Sequence, residues 1–309
     1  MDEPFVLVLN PRAGAGAAGE RLPALRRALE EAGARFDVAL TGGPRDATRI
    51  VRDALERGVR GIAVVGGDGT LNEAVNGFFD ERGEPIAPEA WLGPLPCGTG
   101  GDFRRTLGIG KRVGPMVTRM LWARPRRVDV GWLVYTDDEG RTAQRAFLNI
   151  ASFGMSGLIV RLVNEGPKWM GAKPSFLLGT YRGIVRHRNQ RVRVTLDDGE
   201  PREHAPLTVA VANGRFFGGG MQIAPRAEID DGFFDVVSLD MSPWESLALT
   251  TAIYRGTHLA RPDVTCTRAR RVRAEPLDGE RVLIDLDGEG PGMLPATFEI
   301  RPRALLLRG

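Results

Sequence analysis

The run Gly66-Gly67-Asp68-Gly69-Thr70 constrains this chain more than any other stretch. It follows Gly61 to Val65, which reads as a buried strand, and precedes Leu71 to Phe79, which reads as a helix. Glycines at such a junction permit positive φ and let a ligand come close to the backbone. The N–H groups that open the helix favour an anion. Thr70 is expected as the helix N-cap and as a phosphate donor. Asp68 would repel phosphates unless it acts through Mg²⁺, on a hydroxyl or on a neighbouring group. The plain alternative is a Gly-Asp-Gly turn that binds nothing.

The junction belongs to a series. Phe5 to Leu9 and Phe36 to Leu40 read as strands. Glu20 to Ala32 and Asp46 to Arg57 read as helices, with Gly33 and Gly58 just past their ends. Such alternation predicts a mostly parallel sheet, with ligands beyond the carboxyl ends of its strands. Two more loops fall at such ends. Gly14-Ala15-Gly16-Ala17-Ala18-Gly19 fits G-x-G-x-x-G, with Asp37 near the place of a ribose-binding acid. That match is weak, because Asn10-Pro11 intervenes and a plain strand-to-helix turn reads equally well. Pro96-Cys97-Gly98-Thr99-Gly100-Gly101-Asp102-Phe103-Arg104-Arg105 follows the apolar Trp91 to Leu95. It offers a hydroxyl, backbone donors and two arginines to a phosphate. The three loops are expected to meet at one sheet edge as a nucleotide site. A Walker P-loop is absent, since Gly110-Lys111 is followed by Arg112, and so is the protein-kinase His-Arg-Asp loop.

Past Arg124-Pro125-Arg126-Arg127 the texture changes. Val128 to Tyr135, Ala146 to Ile150, Val192 to Leu196, Leu207 to Ala212, Phe233 to Leu239, Val282 to Leu286 and Thr297 to Ile300 read as strands separated by Asp-Gly and Gly/Pro turns. Helical stretches interrupt them around residues 157–186 and 243–260. The 309 residues therefore suggest two domains, 1–127 and 128–309, and whether the last strand returns to the first domain is left open. The net charge of +3 is too small to argue for nucleic acid. Cys97 and Cys266 form no disulfide framework, and His187, His204 and His258 lack zinc spacing. No run of about 18 uncharged apolar residues occurs, and Met1-Asp2-Glu3-Pro4 opens no signal peptide. The expected location is the cytoplasm, with peripheral contact at the inner membrane face left open.

Taken in order, Asn10-Pro11 with Gly14, Gly66-Gly67-Asp68-Gly69-Thr70-Leu71-Asn72-Glu73, Gly98-Thr99 with Asp102-Phe103, Asn213-Gly214 with Gly218-Gly219-Gly220, Asp230-Asp231-Gly232-Phe233-Phe234-Asp235 and Leu286-Asp287-Gly288-Glu289 are specific together. The chain resembles the diacylglycerol kinase catalytic-domain family, in its soluble bacterial lipid-kinase branch, with sphingosine kinases as relatives. The resemblance implies an α/β N-terminal domain with a parallel sheet, as in NAD kinases and diacylglycerol kinases, plus a β-rich antiparallel C-terminal domain. It implies an ATP-dependent lipid kinase that phosphorylates diacylglycerol or a related lipid, with chemistry in the cleft between the domains. By the same resemblance, ATP is contacted by Asn10, Pro11, Gly14, Thr41, Gly66, Gly67, Asp68, Gly69, Thr70, Leu71, Asn72 and Thr99. Asp287 and Glu289 lie in the catalytic motif. Glu228, Asp231 and Phe233 hold a structural Mg²⁺, partly through backbone carbonyls. Gly101 departs from the family, which usually has Asn there.

Asp-Gly-Glu occurs three times, at Asp198, Asp278 and Asp287, and each is a strong turn signal. Only the third has the family's surroundings, so it is taken as catalytic, with Asp287 or Glu289 accepting or orienting the lipid hydroxyl proton. The stretch Lys168-Trp169-Met170 to Phe176-Leu177-Leu178 and Tyr181, flanked by Arg182, Arg186 and Arg188, reads as a core-facing helix with a solvated arginine face. The alternative is contact with an anionic lipid surface. Met155, Met221 and Trp244 read as packing residues. The rival functions are another nucleotide enzyme, such as an NAD kinase or a dehydrogenase, and a non-catalytic lipid or nucleotide sensor. The expected partner is a lipid at a membrane surface, with no nucleic acid, and a homo-oligomer is left open.

Overall fold

The computed structural model describes residues 3–98, 101–166 and 172–309. Two compact units emerge, Met1–Val130 with Pro302–Gly309, and Gly131–Arg301.

The first unit runs β1 (Phe5–Leu9), α1 (Ala17–Glu31), β2 (Phe36–Leu40), α2 (Asp46–Glu56), β3 (Gly61–Gly66), α3 (Asp68–Asn76), β4 (Trp91–Pro96), α4 (Asp102–Leu107) and α5 (Val113–Trp122). Its strands lie in the order β2-β1-β3-β4, all parallel. Every residue of β1 and β3 is buried, as expected of strands covered on both faces. Helix α2 turns Ala47, Val51, Ala54 and Leu55 inward, an apolar stripe at helical spacing. Helix α3 starts at Asp68, earlier than the apolar pattern indicates, so Thr70 is not its N-cap. Gly67 takes that position in extended backbone with no side-chain cap.

The second unit follows from β5 (Arg126–Thr136) through β6 (Thr142–Phe147), β7 (Ile150–Gly154), α6 (Met155–Asn164), α7 (Ala172–Arg186), β8 (Val192–Leu196), β9 (Arg202–His204), β10 (Thr208–Ala212), β11 (Phe234–Leu239), α8 (Glu245–Arg255), β12 (Val264–Ala269), β13 (Arg271–Pro276), β14 (Ile284–Leu286) and β15 (Met293–Leu307). Strands β12-β11-β10-β7-β14 form an antiparallel sheet. Its side chains alternate between two layers, as the two-residue strand period demands. Ala151, Phe153, Val209, Val211, Phe234 and Val236 pack against Val192, Val194, Val272, Ala274 and Phe298 of β8, β13 and β15, which makes a sandwich core. The opposite face, with Ile150, Ala210, Ala212, Val237 and Leu239, is covered by Ile159 of α6, Ile184 of α7, and Leu249 and Ile253 of α8.

Strand β15 ends in the first unit, where Leu306 and Leu307 pair in parallel with Trp91 and Leu92. Buried Asp129 accepts the Arg303 N–H there at 2.7 Å. The run Ala146 to Ile150 is not one strand, since it holds the end of β6 and the start of β7, in different sheets. Trp244 is not a packing residue, being 61% exposed at the start of α8. A core-facing reading of α7 fails for Leu177, Tyr181 and Val185, which are exposed, and Lys168, Trp169, Met170 and the Phe176 side chain lie outside the described residues. No helix among the described residues is long and apolar enough to cross a membrane.

Candidate active site

Because β1 to β4 are parallel, their carboxyl ends share one edge of the first unit's sheet. Asn10, Thr41, Gly67 and Cys97 each lie just beyond one of those ends. The ladder runs on into the loops: the Asn10 N–H donates to Val65 O at 3.1 Å, Thr41 N–H to Leu9 O at 2.9 Å, and Cys97 N–H to Gly66 O at 2.8 Å. Side chains then tie the loops together. Asn10 Nδ2 donates to Thr70 Oγ1 at 3.0 Å, and the Asp102 N–H donates to Asp68 Oδ2 at 2.9 Å.

Two glycines permit the close approach. A Cβ at Gly14, whose φ is 64°, would lie 2.6 Å from Cys97 O, and one at Gly98 would lie 2.7 Å from the Gly67 Cα. The three loops thus pack backbone on backbone, and a side chain at either point would force them apart.

This edge gathers Asn10, Pro11, Gly14, Thr41, Gly66, Gly67, Asp68, Gly69, Thr70, Leu71 and Asn72 in one unit. Their roles differ. Thr70, Leu71 and Asn72 are buried, and the Thr70 hydroxyl accepts from Asn10, so these residues brace the loop. Gly67, Asp68 and Gly69 are part-exposed at the start of α3, where the first N–H groups have no partner within the helix. Thr99 lies outside the described residues.

The two arginines of the third loop serve the protein first. Arg105 pairs with Asp102 at 2.6 Å, and Arg104 donates to Ile109 O at 2.8 Å. Burial, and then the neighbouring Arg105 charge, lowers the Arg104 pKa from its ordinary value. Gly101, φ 70°, is the N-cap of α4, a left-handed conformation that Asn also tolerates. A cavity lined by Gly66, Gly67, Asp68, Gly101, Phe103 and Arg104 has a volume of about 10 Å³. That is room for roughly one water, so a larger anion must lie across the loops rather than enter it.

In the second unit, Leu286-Asp287-Gly288-Glu289 is a tight two-residue turn. Leu286 and Glu289 exchange backbone hydrogen bonds of 2.8 and 2.9 Å, and Asp287 (φ 49°) and Gly288 (φ 88°) are both left-handed. The turn at Asp278-Gly279 has the same hand (φ 55° and 71°), so backbone shape does not set the Asp287 turn apart.

Its side-chain partners do. Asp287 Oδ1 accepts the Ile150 N–H at 2.9 Å, while the Asp287 N–H donates to Ile150 O at 3.0 Å. Glu289 pairs with Arg145 at 2.6 Å. Buried Asp285 accepts the Gly288 N–H at 2.9 Å and the Ser152 hydroxyl at 3.3 Å. Buried Asn213 donates to Leu148 O, and Asn149 donates to Phe216 O, both at 2.7 Å, bracing the adjoining ends of β7 and β10. Arg145, Asn149 and Asp285 carry no motif of their own. The one cue for Asp285 is its place near the end of a short strand, two residues before Asp287.

Residues 4–133 match the diacylglycerol kinase catalytic domain, and residues 149–308 match the YegS C-terminal NAD kinase beta sandwich-like domain. The diacylglycerol kinase of Bacillus subtilis is 28% identical over 294 residues, which is 94% of this chain and 91% of that protein. A YegS-like lipid kinase of Pseudomonas aeruginosa is 30% identical over 306 residues, 99% of this chain and 94% of that protein. The chain belongs to the diacylglycerol kinase catalytic-domain family. It is thus a kinase, a phosphotransferase with an alcohol group as acceptor. A diacylglycerol kinase crystal structure from Bacillus anthracis shares its fold, with a TM-score of 0.70 at 22% identity over 99% of this chain and 96% of that one.

At the positions expected to hold a metal, protein groups take the Asp231 carboxylate. Asp231 Oδ1 accepts the Phe233 N–H at 3.0 Å, and Oδ2 accepts from the Arg268 guanidinium. Arg268 and Arg270 both stack over the Phe233 ring, at 4.4 and 4.7 Å from its centroid. The Glu228 side chain is exposed. Among the described residues no three His, Cys, Asp or Glu side chains converge on a metal position. With a guanidinium on the Asp231 carboxylate and the Glu228 side chain exposed, a Mg²⁺ at Glu228, Asp231 and Phe233 would have to draw on backbone carbonyls and displace Arg268.

Proposed function

We propose that this kinase transfers the γ-phosphoryl group of ATP to the hydroxyl of a lipid, diacylglycerol or a close relative. The observation that carries the nucleotide half is the joining of three glycine loops at one sheet edge through Asn10–Thr70 and Asp68–Asp102. Part-exposed backbone at a helix start, with glycine on either side of Asp68, suits a chain of phosphates. Mg²⁺ bound with the triphosphate would supply positive charge against the transferring group. Asp68 Oδ1, which makes no hydrogen bond among the described residues, is the carboxylate oxygen that would face it.

The protein's part in phosphoryl transfer is mostly positioning and charge compensation. Gly67 and Gly69 present backbone to the phosphates, Asn10 fixes the first loop against the second, and Asp102 fixes the third. On the acceptor side, Glu289 is the proton acceptor for the lipid hydroxyl, held in orientation by Arg145. Asp287 fastens the turn to β7 through Ile150. The names of the Bacillus and Pseudomonas relatives support a lipid as acceptor.

The test is purified kinase with labelled ATP, Mg²⁺ and dispersed diacylglycerol, a sphingoid base, a polyprenol and NAD. Label in one lipid class is expected. Label in NAD, or ATP binding without transfer to any lipid, would overturn the reading.

A further inference from the structure

A chain of phosphates calls for cationic side chains as well as backbone donors, and arginine suits it best. The centre of the first unit's sheet edge offers none, since no Lys or Arg occurs from Gly61 to Asn76. Most arginines at its flanks are engaged elsewhere. Arg49, beyond β2, pairs with Asp46 at 2.7 Å and with Asp53 at 3.0 Å. Arg105 pairs with Asp102, and Arg104 lines the cavity that has room for roughly one water. Arg12 and Arg45 are exposed, where water and salt screen their charge.

Arg21 differs from all of these. It stands on the second turn of α1 and is part-buried. Its Nη1 donates to Cys97 Sγ at 3.9 Å. Cys97 lies where the three loops meet: its N–H donates to Gly66 O, and its carbonyl oxygen would be 2.6 Å from a Cβ at Gly14. The guanidinium therefore reaches from the helix of the first loop to the third. Glycine also sets its height, because a Cβ at Gly19 would lie 3.1 Å from Pro11 O, so the start of α1 packs on the root of its own loop. No carboxylate pairs with Arg21 among the described residues. Burial raises the Cys97 pKa despite the neighbouring guanidinium, so the sulfur is an uncharged thiol at neutral pH. A thiol is a weak acceptor, and the Arg21 fork keeps further N–H donors for a ligand.

We propose that Arg21 binds the phosphate chain of the nucleotide and is the cation that the glycine loops themselves lack. The proposal rests on the ATP reading and names a residue that gives this edge its preference for a polyphosphate. The planar guanidinium suits two oxygens of one phosphate, a geometry that lysine does not reproduce. The G-x-G-x-x-G run before α1 then has a use other than a dinucleotide: it brings the start of α1, and Arg21 with it, against the other two loops.

The test is calorimetric titration of the full chain with ATP and with tripolyphosphate, each with Mg²⁺. It compares the wild type with Arg21→Gln, Arg21→Lys and Arg27→Gln, and thermal melts confirm that each variant folds. Arg27 is exposed on the same helix, so Arg27→Gln removes the same charge away from the loops. Arg21→Gln is expected to bind both ligands at least about tenfold more weakly, the least that loss of a charge-assisted hydrogen bond costs. Arg21→Lys is expected to recover part of that loss, because it keeps the charge without the fork. Arg27→Gln is expected to bind like wild type. Wild-type affinity in Arg21→Gln, or an equal loss in Arg27→Gln, would overturn the proposal and leave the ATP reading standing. If the wild type binds tripolyphosphate through Arg21 but does not bind ATP, Arg21 stands as an anion-binding residue and the nucleotide reading falls. If it binds neither ligand, both fall.

Discussion

Asp68 Oδ2 accepts the backbone N–H of Asp102 at 2.9 Å, so one carboxylate both opens α3 and anchors the start of α4. The two demands on Asp68 can be separated. Asp68→Asn keeps an oxygen for the Asp102 N–H but removes the charge, whereas Asp68→Ala removes both. Asp68→Asn is expected to melt like wild type yet lose roughly 10²-fold or more in kcat/KM for ATP, because charge compensation at the phosphates is lost. Asp68→Ala is expected to lose as much and also to be about 1–3 kcal/mol less stable, with a buried donor left unpaired. Melts and steady-state kinetics on the pair check this, and an active Asp68→Asn would reduce Asp68 to a structural tie.

Glu289 and Asp287 should divide in the same way. The Glu289 side chain is 37% exposed and touches Arg145, while Asp287 holds the Ile150 N–H. Glu289→Gln is expected to lower kcat by about 10²–10⁴-fold, the range for a proton acceptor, with the melting temperature unmoved. Asp287→Ala is expected to lower the melting temperature as well, since the turn loses its link to β7. A Glu289→Gln enzyme with wild-type kcat would remove Glu289 from the chemistry.

Much of this site is legible along the chain because its determinants are local. Strands β1 and β2 begin and end where the apolar runs Phe5–Leu9 and Phe36–Leu40 do. The glycine loops sit at strand ends that parallel topology must align. What the sequence hides depends on partners far away. Arg145 stands 144 positions before Glu289 and is joined to it only by the fold. Strands β12 and β13 read Val-Thr-Cys-Thr-Arg-Ala and Arg-Val-Arg-Ala-Glu-Pro, the first exposed through its middle and the second burying only every other residue, so no apolar run announces them. Thr70 looks like a cap until Asn10, 60 residues earlier, takes its hydroxyl. Trp244 looks like core because of its size, yet most of it is exposed.

The Asp231 position gives a prediction about metal. Arg268 already supplies a cation to this carboxylate, so exchanging Mg²⁺ for EDTA is expected to leave the wild-type melting temperature unchanged. The pair is part-exposed, with Arg268 at 51%, so Arg268→Ala should cost about 1 kcal/mol or less. With Asp231 released, Mg²⁺ is expected to raise the melting temperature of that variant. Differential scanning fluorimetry with and without Mg²⁺ decides the matter, and a wild-type shift on adding EDTA would restore a metal at this position.

Acid should destabilise the kinase through a histidine. His187 follows α7 and is buried, with Nε2 unpartnered. Burial lowers its pKa from 6.5 to about 4, and burial also lowers that of His258. Above about pH 6.5 His187 is neutral in both folded and unfolded chains and has no effect on stability's pH slope. Between about pH 6.5 and 4 the unfolded chain takes up a proton that the folded chain refuses, so stability falls as pH falls, by up to about 3 kcal/mol from this residue. His187→Gln cannot take that proton. Urea unfolding at pH 7 and pH 5 is therefore expected to show a larger loss in wild type than in the variant. Parallel losses in the two proteins would mean that His187 is charged in the native fold and that acid acts elsewhere.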